Sequence, residues 1–396
     1  MRFLNLAHFI DHYFMLIFPT AVLALSERWG MSYAEALKLG TPAFVLFAAA
    51  TLPFGWLGDR FGGVPMMRLF FFGMGSSAIA VGFAGGPVMF MAGMAGIGLF
   101  AAIYHPVATA MIVALTPERG RALGINGVYG NLGVALAAAI TGGLVAFASW
   151  RAAFIVPGIV ALVTGAFYLR QSRPTTRQGA GEKAPHPEPR PDSREQLRVF
   201  IVVGVTALFS GLVFAGVTVS MPKLFEERLH DTGLGIGGIG AITTTVFFSA
   251  SFTQLFTGRL IDRIGARPIL LFASGSTGPL LVALALLPGY GVLPLAVPLM
   301  LVIFGAVPVT SWLLSHYVSR AWRSRAYSMQ FLLALGVNAG IIPLISGVYE
   351  QTGSTAMLFL ILAGASLVVF LASLSLPGFV SHIAGSRPLA SGPGTA

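Results

Sequence analysis

The chain of 396 residues contains no cysteine. Disulfides, thiolate nucleophiles and Cys-ligated metals are therefore excluded as sources of structure or chemistry. Charge is the second scarcity. Only 10% of residues are charged, where a soluble domain carries roughly 25%. Acidic residues number just 14. Apolar character takes their place, with 56% hydrophobic residues, 31 Phe, 49 Gly and a mean hydropathy of +0.82. That balance suits lipid-facing helices packed through small residues, so the expected class is an all-α integral membrane protein. The first apolar run, about 3–25, exceeds the ~20 residues that span a bilayer. It carries charge inside it and no small-residue cleavage site follows, so it reads as a retained helix rather than a removed leader.

Twelve apolar segments follow one another at about 4–25, 35–56, 66–84, 88–113, 122–147, 151–169, 198–221, 237–257, 268–287, 292–316, 326–348 and 354–376. With the N-terminus inside, 19 of the 24 Lys and Arg fall on one side. The other side receives only Arg28, Lys38, Arg151, Lys223 and Arg228. This asymmetry is the positive-inside pattern, which puts both termini in the cytoplasm. The net charge of +10 thus reports topology beside a lipid bilayer and calls for no nucleic-acid partner.

Between Arg170 and Arg198 the text becomes "QSRPTTRQGAGEKAPHPEPRPDSREQL", rich in Pro and charge. It cannot bury a core and reads as a flexible linker. The expected organisation is an N-terminal six-helix bundle over 1–170, a cytoplasmic linker over 171–197, a C-terminal six-helix bundle over 198–376 and a cytoplasmic tail over 377–396. The halves repeat. "GWLGDRFGG" follows the second segment and "GRLIDRIGARP" the eighth, with Asp59 and Asp262 203 residues apart. "PERGRALG" is echoed by "AWRSRAYS", Arg121 and Arg325 being 204 apart, and Asn131 and Asn338 are 207 apart. Parallel six-helix repeats with a site between them are an architecture of secondary transporters.

Gly55, Leu57, Gly58, Asp59, Arg60 and Gly62, with their second copy at Gly258, Leu260, Asp262, Arg263, Gly265 and Arg267, resemble the signature loop of the major facilitator superfamily. The likeness covers nearly the whole chain. It implies two pseudo-symmetric six-helix bundles that rock about a central cavity in the inner membrane of a bacterium. It also implies a cytoplasmic gate in which Gly55, Gly58, Asp59, Arg60, Arg121, Gly258, Asp262, Arg263 and Arg325 latch the bundle ends. The first copy departs from the pattern at Gly63-Val64, where a basic pair is usual. "HFIDHY", "GIGLFAAIYHP" and "GVYGNLG" further resemble the fosmidomycin-resistance branch, which implies a proton-driven exporter. The Gln-Pro usual on helix two is Leu52-Pro53 here. Helix four has Ala92 where antiporters carry an arginine, and "AAITGG" at 138–143 keeps only the glycine pair of the exporter motif.

Asp11 is the one acidic residue set well within an apolar segment, and no lysine or arginine lies deep in any. An aspartate at a helix centre costs about 2.5–3.5 kcal/mol on insertion scales, so such a residue faces a cavity or a partner. His8, Asp11 and His12 stand at i, i+3 and i+4 on one helical face. His105 interrupts a stripe of small residues on helix four. At ~1.5 Å rise per residue, Asp11 and His105 both fall roughly 10–12 Å from the cytoplasmic surface, and the resemblance to the superfamily implies that helices one and four both line the central cavity, where the two are expected to meet. Pro106 removes a backbone donor and frees a carbonyl one turn back, which suits a cavity wall. Histidine titrates near neutrality, so a coupled Asp/His group can load and release a proton. A fixed Asp–His contact between helices is the structural alternative. The same four side chains also make an N/O ligand set for a divalent metal.

The second half is expected to contain no buried charge. Tyr104, Asn131, Trp312, Gln330 and Asn338 are expected to line the substrate cavity, and His316 to be interfacial. One carboxylate, several imidazoles and no deep arginine suit a neutral, amphipathic or cationic substrate. The expectation is a monomeric, proton-coupled exporter of a small organic compound, needing no cofactor and catalysing no reaction. A symporter importing a metabolite and a divalent-metal carrier would use the same residues. An intramembrane metalloenzyme, with His8, His12 and His105 as ligands and Asp11 as base, would leave the duplicated gating loops without a purpose, and a transport-dead receptor would bind ligand without exchange across the bilayer.

Overall fold

A computed structural model of the chain describes residues 1–116, 119–172, 193–318, 326, 329–330, 332–334 and 336–377. Among them are twelve helices long and apolar enough to cross a membrane. They are α1 (Arg2–Trp29), α2 (Tyr33–Phe61), α3 (Gly63–Gly82), α4 (Pro87–Ile112), α5 (Arg121–Phe147), α6 (Ala152–Gln171), α7 (Arg194–Arg228), α8 (Ile236–Ile261), α9 (Ala266–Leu286), α10 (Gly289–Tyr317), α11 (Leu332–Thr352) and α12 (Ala356–Leu374). Each expected segment falls on one helix. The largest difference is the end of α7, which runs past its apolar stretch to Arg228 because Lys223 and Glu226 pair across one turn and extend it as a charged helix. Most of the expected linker, residues 173–192, and the tail beyond 377 lie outside the described residues, as does Arg325.

The duplication recurs in the turns. Gly62 closes α2 with φ 88° and Gly265 closes α8 with φ 83°, 203 residues later. Gly30 ends α1 at φ 61° and Gly233 follows α7 at φ 68°, again 203 apart. With ψ of 156° and 169°, Gly62 and Gly265 occupy backbone space that only glycine enters without strain. The same register therefore relates α1 to α7 and α3 to α9.

Within the halves, α1 packs along α5, α3 along α6 and α9 along α12. The bundles meet along α5 with α8 and along α2 with α11. Glycine permits the first of these crossings: a Cβ on Gly240 would strike the carbonyl of Ala138, and one on Gly142 would stand 2.7 Å from the Ile236 carbonyl oxygen. Thr244 of α8 then donates to the Ala135 carbonyl at 2.6 Å and accepts from the Ala139 N–H at 2.9 Å. These are the two ends of one helical turn of α5, so the hydroxyl keys one bundle into the backbone of the other.

One end of the molecule is closed by polar and aromatic contacts. Lys38 meets Glu350 at 2.8 Å, Ser346 donates to the Ala34 carbonyl at 2.9 Å, and the rings of Tyr33 and Tyr349 lie 4.8 Å apart. Lys223 sits over both rings, 4.8 and 5.4 Å from their centroids, and pairs with Glu226. The Lys38 pair is half exposed and contributes about 0–1 kcal/mol at most. Lys223 is 13% exposed and bridges both halves, so it does more of the closing. Lys223→Met should therefore lengthen the distance between spin labels on a cysteine pair at Glu27 and Gln351 more than Lys38→Met does. An unchanged distance distribution in Lys223→Met would refute this assignment.

Candidate functional site: a buried Asp/His cluster in an inter-bundle cavity

The face of α1 that carries His8, Asp11 and His12 turns inward, and Asp11 is completely buried. His105 reaches it from α4. That helix breaks between Ala101 and Tyr104, where Pro106 offers no N–H to the Ala102 carbonyl. His105 Nε2 lies 3.4 Å from Asp11 Oδ2, close enough for Coulombic contact but not aligned as a hydrogen bond. Neither Asp11 oxygen has a hydrogen-bond partner.

The other two histidines pack beside this pair. His8 Nδ1 stands 2.7 Å from the Asn126 carbonyl, which can only accept, so that nitrogen carries the hydrogen. In a neutral His8 the Nε2 lone pair then faces His12 Nε2, 3.2 Å away. The His8 ring stacks on Tyr104 at 4.7 Å, and the rings of His8 and His12 each lie 5.5 Å from His105.

The glycines of "GVYGNLG" serve this packing. A Cβ on Gly130 would stand 2.6 Å from His8 Nε2, and one on Gly133 would strike the Phe9 carbonyl. Gly55 and Gly58, expected at the gate, sit against Pro106 and Val107 of α4, so they hold α2 close to the helix that delivers His105. Gly130→Ala should lower thermal stability in detergent, since overpacking costs about 1–3 kcal/mol. Gly143→Ala, with open space around it, should be neutral. Equal melting temperatures for the two variants would contradict this packing.

Asp11, His12 and His105 line a cavity of about 300 Å³ between the bundles, together with Gln330 and Asn338. Three expected cavity residues are placed elsewhere. Tyr104 is buried behind His8, its hydroxyl donating to Asn126 Oδ1 at 3.0 Å, because its ring fills the space between α1, α3 and α4. Asn131 is held in the bundle contact, donating to the Ser251 carbonyl at 2.9 Å and accepting from Gln254 at 3.2 Å. Trp312 stacks on His316 at 3.9 Å and packs against an apolar cluster of the second half.

At the expected gate, Asp59 and Arg60 are exposed. The Arg60 guanidinium lies over the rings of Trp56 and Phe61 at 5.5 and 5.7 Å, and among the described residues Asp59 makes no ion pair. Arg121 and Arg263 are exposed as well, and Gly258 has open space around it. Asn126 went unnoticed in the sequence. It is buried, and its amide donates to Asn5 Oδ1 at 3.1 Å and to the Leu4 carbonyl at 3.3 Å. The signal was there, an amide one and a half turns before Asn131 in an apolar helix.

Two six-helix repeats around a cavity with an intramembrane carboxylate define a secondary membrane transporter. The chain belongs to the Major Facilitator Superfamily, whose family model matches residues 4–305. It is 26% identical over 294 residues to a probable 4-methylmuconolactone transporter of Cupriavidus pinatubonensis, covering 70% of this chain and 66% of that one. It is 30% identical over 173 residues to the probable sulfoacetate transporter SauU of Cupriavidus necator, covering 42% and 40%. The matches thus span somewhat less than two thirds and about two fifths of those relatives. A bacterial homologue of the human lysosomal transporter Spinster, inward-facing and occupied, superposes with a TM-score of 0.71 at 15% identity, over 94% of this chain and 93% of that one. The unoccupied inward-facing form gives 0.68 at 16% identity, over 95% and 94%. At that identity the likeness is one of fold. The comparisons establish the superfamily without singling out its fosmidomycin-resistance branch.

Proposed function

We propose that this transporter couples proton movement to the export of a small organic compound, a drug or a metabolite, by alternating access, with Asp11 as the group that takes up and releases the proton. One observation carries the reading. A fully buried carboxylate with neither oxygen hydrogen-bonded lines the cavity between the two bundles. A carboxylate in such a place demands either a proton or a positive partner. His105, 3.4 Å away, and His12 are the groups that can exchange a proton with it, and His8 orients them from behind. When the bundles rock, the cluster faces one side of the membrane and then the other.

The reading places both termini, the 171–197 linker and the Asp59 and Asp262 loops in the bacterial cytoplasm, on the positive-inside asymmetry. The end closed by Lys223 and Glu350 then faces outward, as in an inward-facing state. A monomer suffices, since the cavity is complete within one chain. Export is the direction implied by resemblance to the fosmidomycin-resistance branch; uptake by proton symport would use the same residues. The relatives' names mention 4-methylmuconolactone and sulfoacetate. Among the described residues lining this cavity there is no lysine or arginine, which favours a neutral, amphipathic or cationic cargo over a strong anion. A divalent transition-metal ion is the competing cargo, supported by one nitrogen each of His8, His12 and His105 lying within 4.8 Å of one another.

The test is proton flux in proteoliposomes carrying a pH dye, challenged with 4-methylmuconolactone, sulfoacetate, ethidium and divalent zinc. Right-side-out and inverted orientations are compared to read direction. Asp11→Asn should remain folded while its transport ceases to follow the pH gradient. Unaltered gradient-driven transport in that variant would overturn the coupling role. Flux evoked by zinc alone would replace the organic cargo with the metal.

A further inference from the structure

The two halves share a register of 203 residues across α1 with α7 and α3 with α9, yet their interiors are filled differently. In the first half, Phe3 and Phe71 pack on Tyr168 at 5.4 and 5.6 Å, and Phe70 packs on Tyr104 at 5.9 Å. Phe70 and Phe71 are wholly buried. The positions 203 residues later hold Thr206, Ala273 and Ser274, and Met74 is answered by Thr277. All four of these smaller residues line the cavity that reaches Asp11. Where the first half is solid with aromatic rings, the second half is hollow.

The hollow has a defined chemistry. Ser274 and Thr277 donate their hydroxyl hydrogens to the carbonyls of Leu270 and Ala273, at 2.6 and 2.8 Å, which leaves oxygen lone pairs as their remaining capacity. Gln330 donates its amide to Thr310 Oγ1 at 2.8 Å, and its buried carbonyl oxygen has no partner. Thr206 is 3% exposed and its hydroxyl is unpartnered. The Thr206 hydroxyl can donate or accept, whereas the capacity left on Ser274, Thr277 and the Gln330 carbonyl is that of acceptors, which call for donors. With no carboxylate among the described second-half residues that line it, a cationic donor would be desolvated without a counter-charge.

We propose that this hollow is a second substrate subsite, taking an uncharged hydroxyl or N–H group at the far end of an elongated molecule whose other end meets Asp11. The proposal rests on the reading of Asp11 as part of the transport site. It assigns the substrate class as an amphipathic compound with a cationic or donor head and a neutral donor tail. Thr206, Ser274 and Gln330 read the tail.

The absence of native cysteine gives a clean test. Ser274→Cys in the full chain should react with N-ethylmaleimide, and 8-amino-1-octanol should protect it. Octylamine, which lacks the hydroxyl, should need a roughly tenfold higher concentration, the ratio expected when one buried hydrogen bond is lost. The anionic tail of 8-aminooctanoate should protect least. Thr206→Val should narrow the gap between the amino alcohol and octylamine, and Thr277→Cys serves as a second reporter should Ser274→Cys fold poorly. An unreactive thiol at both positions, or equal protection by all three compounds, would overturn the subsite. If that ranking holds while Asp11→Asn leaves gradient-driven transport intact, the coupling reading falls and the subsite stands. If the ranking fails while Asp11→Asn uncouples transport, the reverse is true.

Discussion

Much of this molecule is arranged around one carboxylate held out of water. Asp11 has no exposed surface and neither of its oxygens accepts a hydrogen bond. In a low-dielectric interior such a group is tolerated only beside a positive partner or a proton source. The helices supply one. α4 breaks ahead of Pro106 and delivers His105, α5 approaches α1 through Gly130 and Gly133, and α2 leans on α4 through Gly55 and Gly58. Small residues let backbones come close enough for a polar cluster to be enclosed, which is how polar sites are built between membrane helices.

The duplication is preserved in backbone and abandoned in chemistry. Gly30 and Gly62 have counterparts at Gly233 and Gly265 with the same left-handed φ, because a turn between packed helices needs that geometry in both halves. The side chains owe nothing to that constraint. In the shared register His8, Asp11, His12 and Met15 correspond to Gly211, Phe214, Ala215 and Thr218, all four lining the cavity from the opposite side. Charge is confined to one wall and uncharged hydroxyls to the other. A site of that polarity orients an asymmetric ligand, and alternating access then needs only the rocking of two bodies around it.

Much of the Asp/His cluster was legible because its signal is local. Three polar side chains at i, i+3 and i+4 in an apolar run must share a face, and a fourth at matching depth can reach them from a helix that the resemblance places on the same cavity. Tyr104, Asn131 and Trp312 were less legible, because an amide or an aromatic in a membrane helix serves a cavity and a helix contact equally well. The pattern alone does not choose. Asn131 went to the crossing with Ser251 and Gln254, and Tyr104 to the support of His8.

Composition, segment length and the repeated glycine-aspartate-arginine loops determined the membrane class, the twelve spans and the superfamily, because each follows from residues near one another in the chain or from a long period within it. The tertiary structure decided which faces meet. Only it shows that Asn126 anchors the cluster and that Gly58 packs on Val107 at its would-be Cβ. Only it shows that replacing Phe70 and Phe71 by Ala273 and Ser274 leaves space rather than a collapsed core. Whether a small residue closes a gap or opens a cavity depends on how far its neighbours on other helices can move, and that distance is written in no single segment.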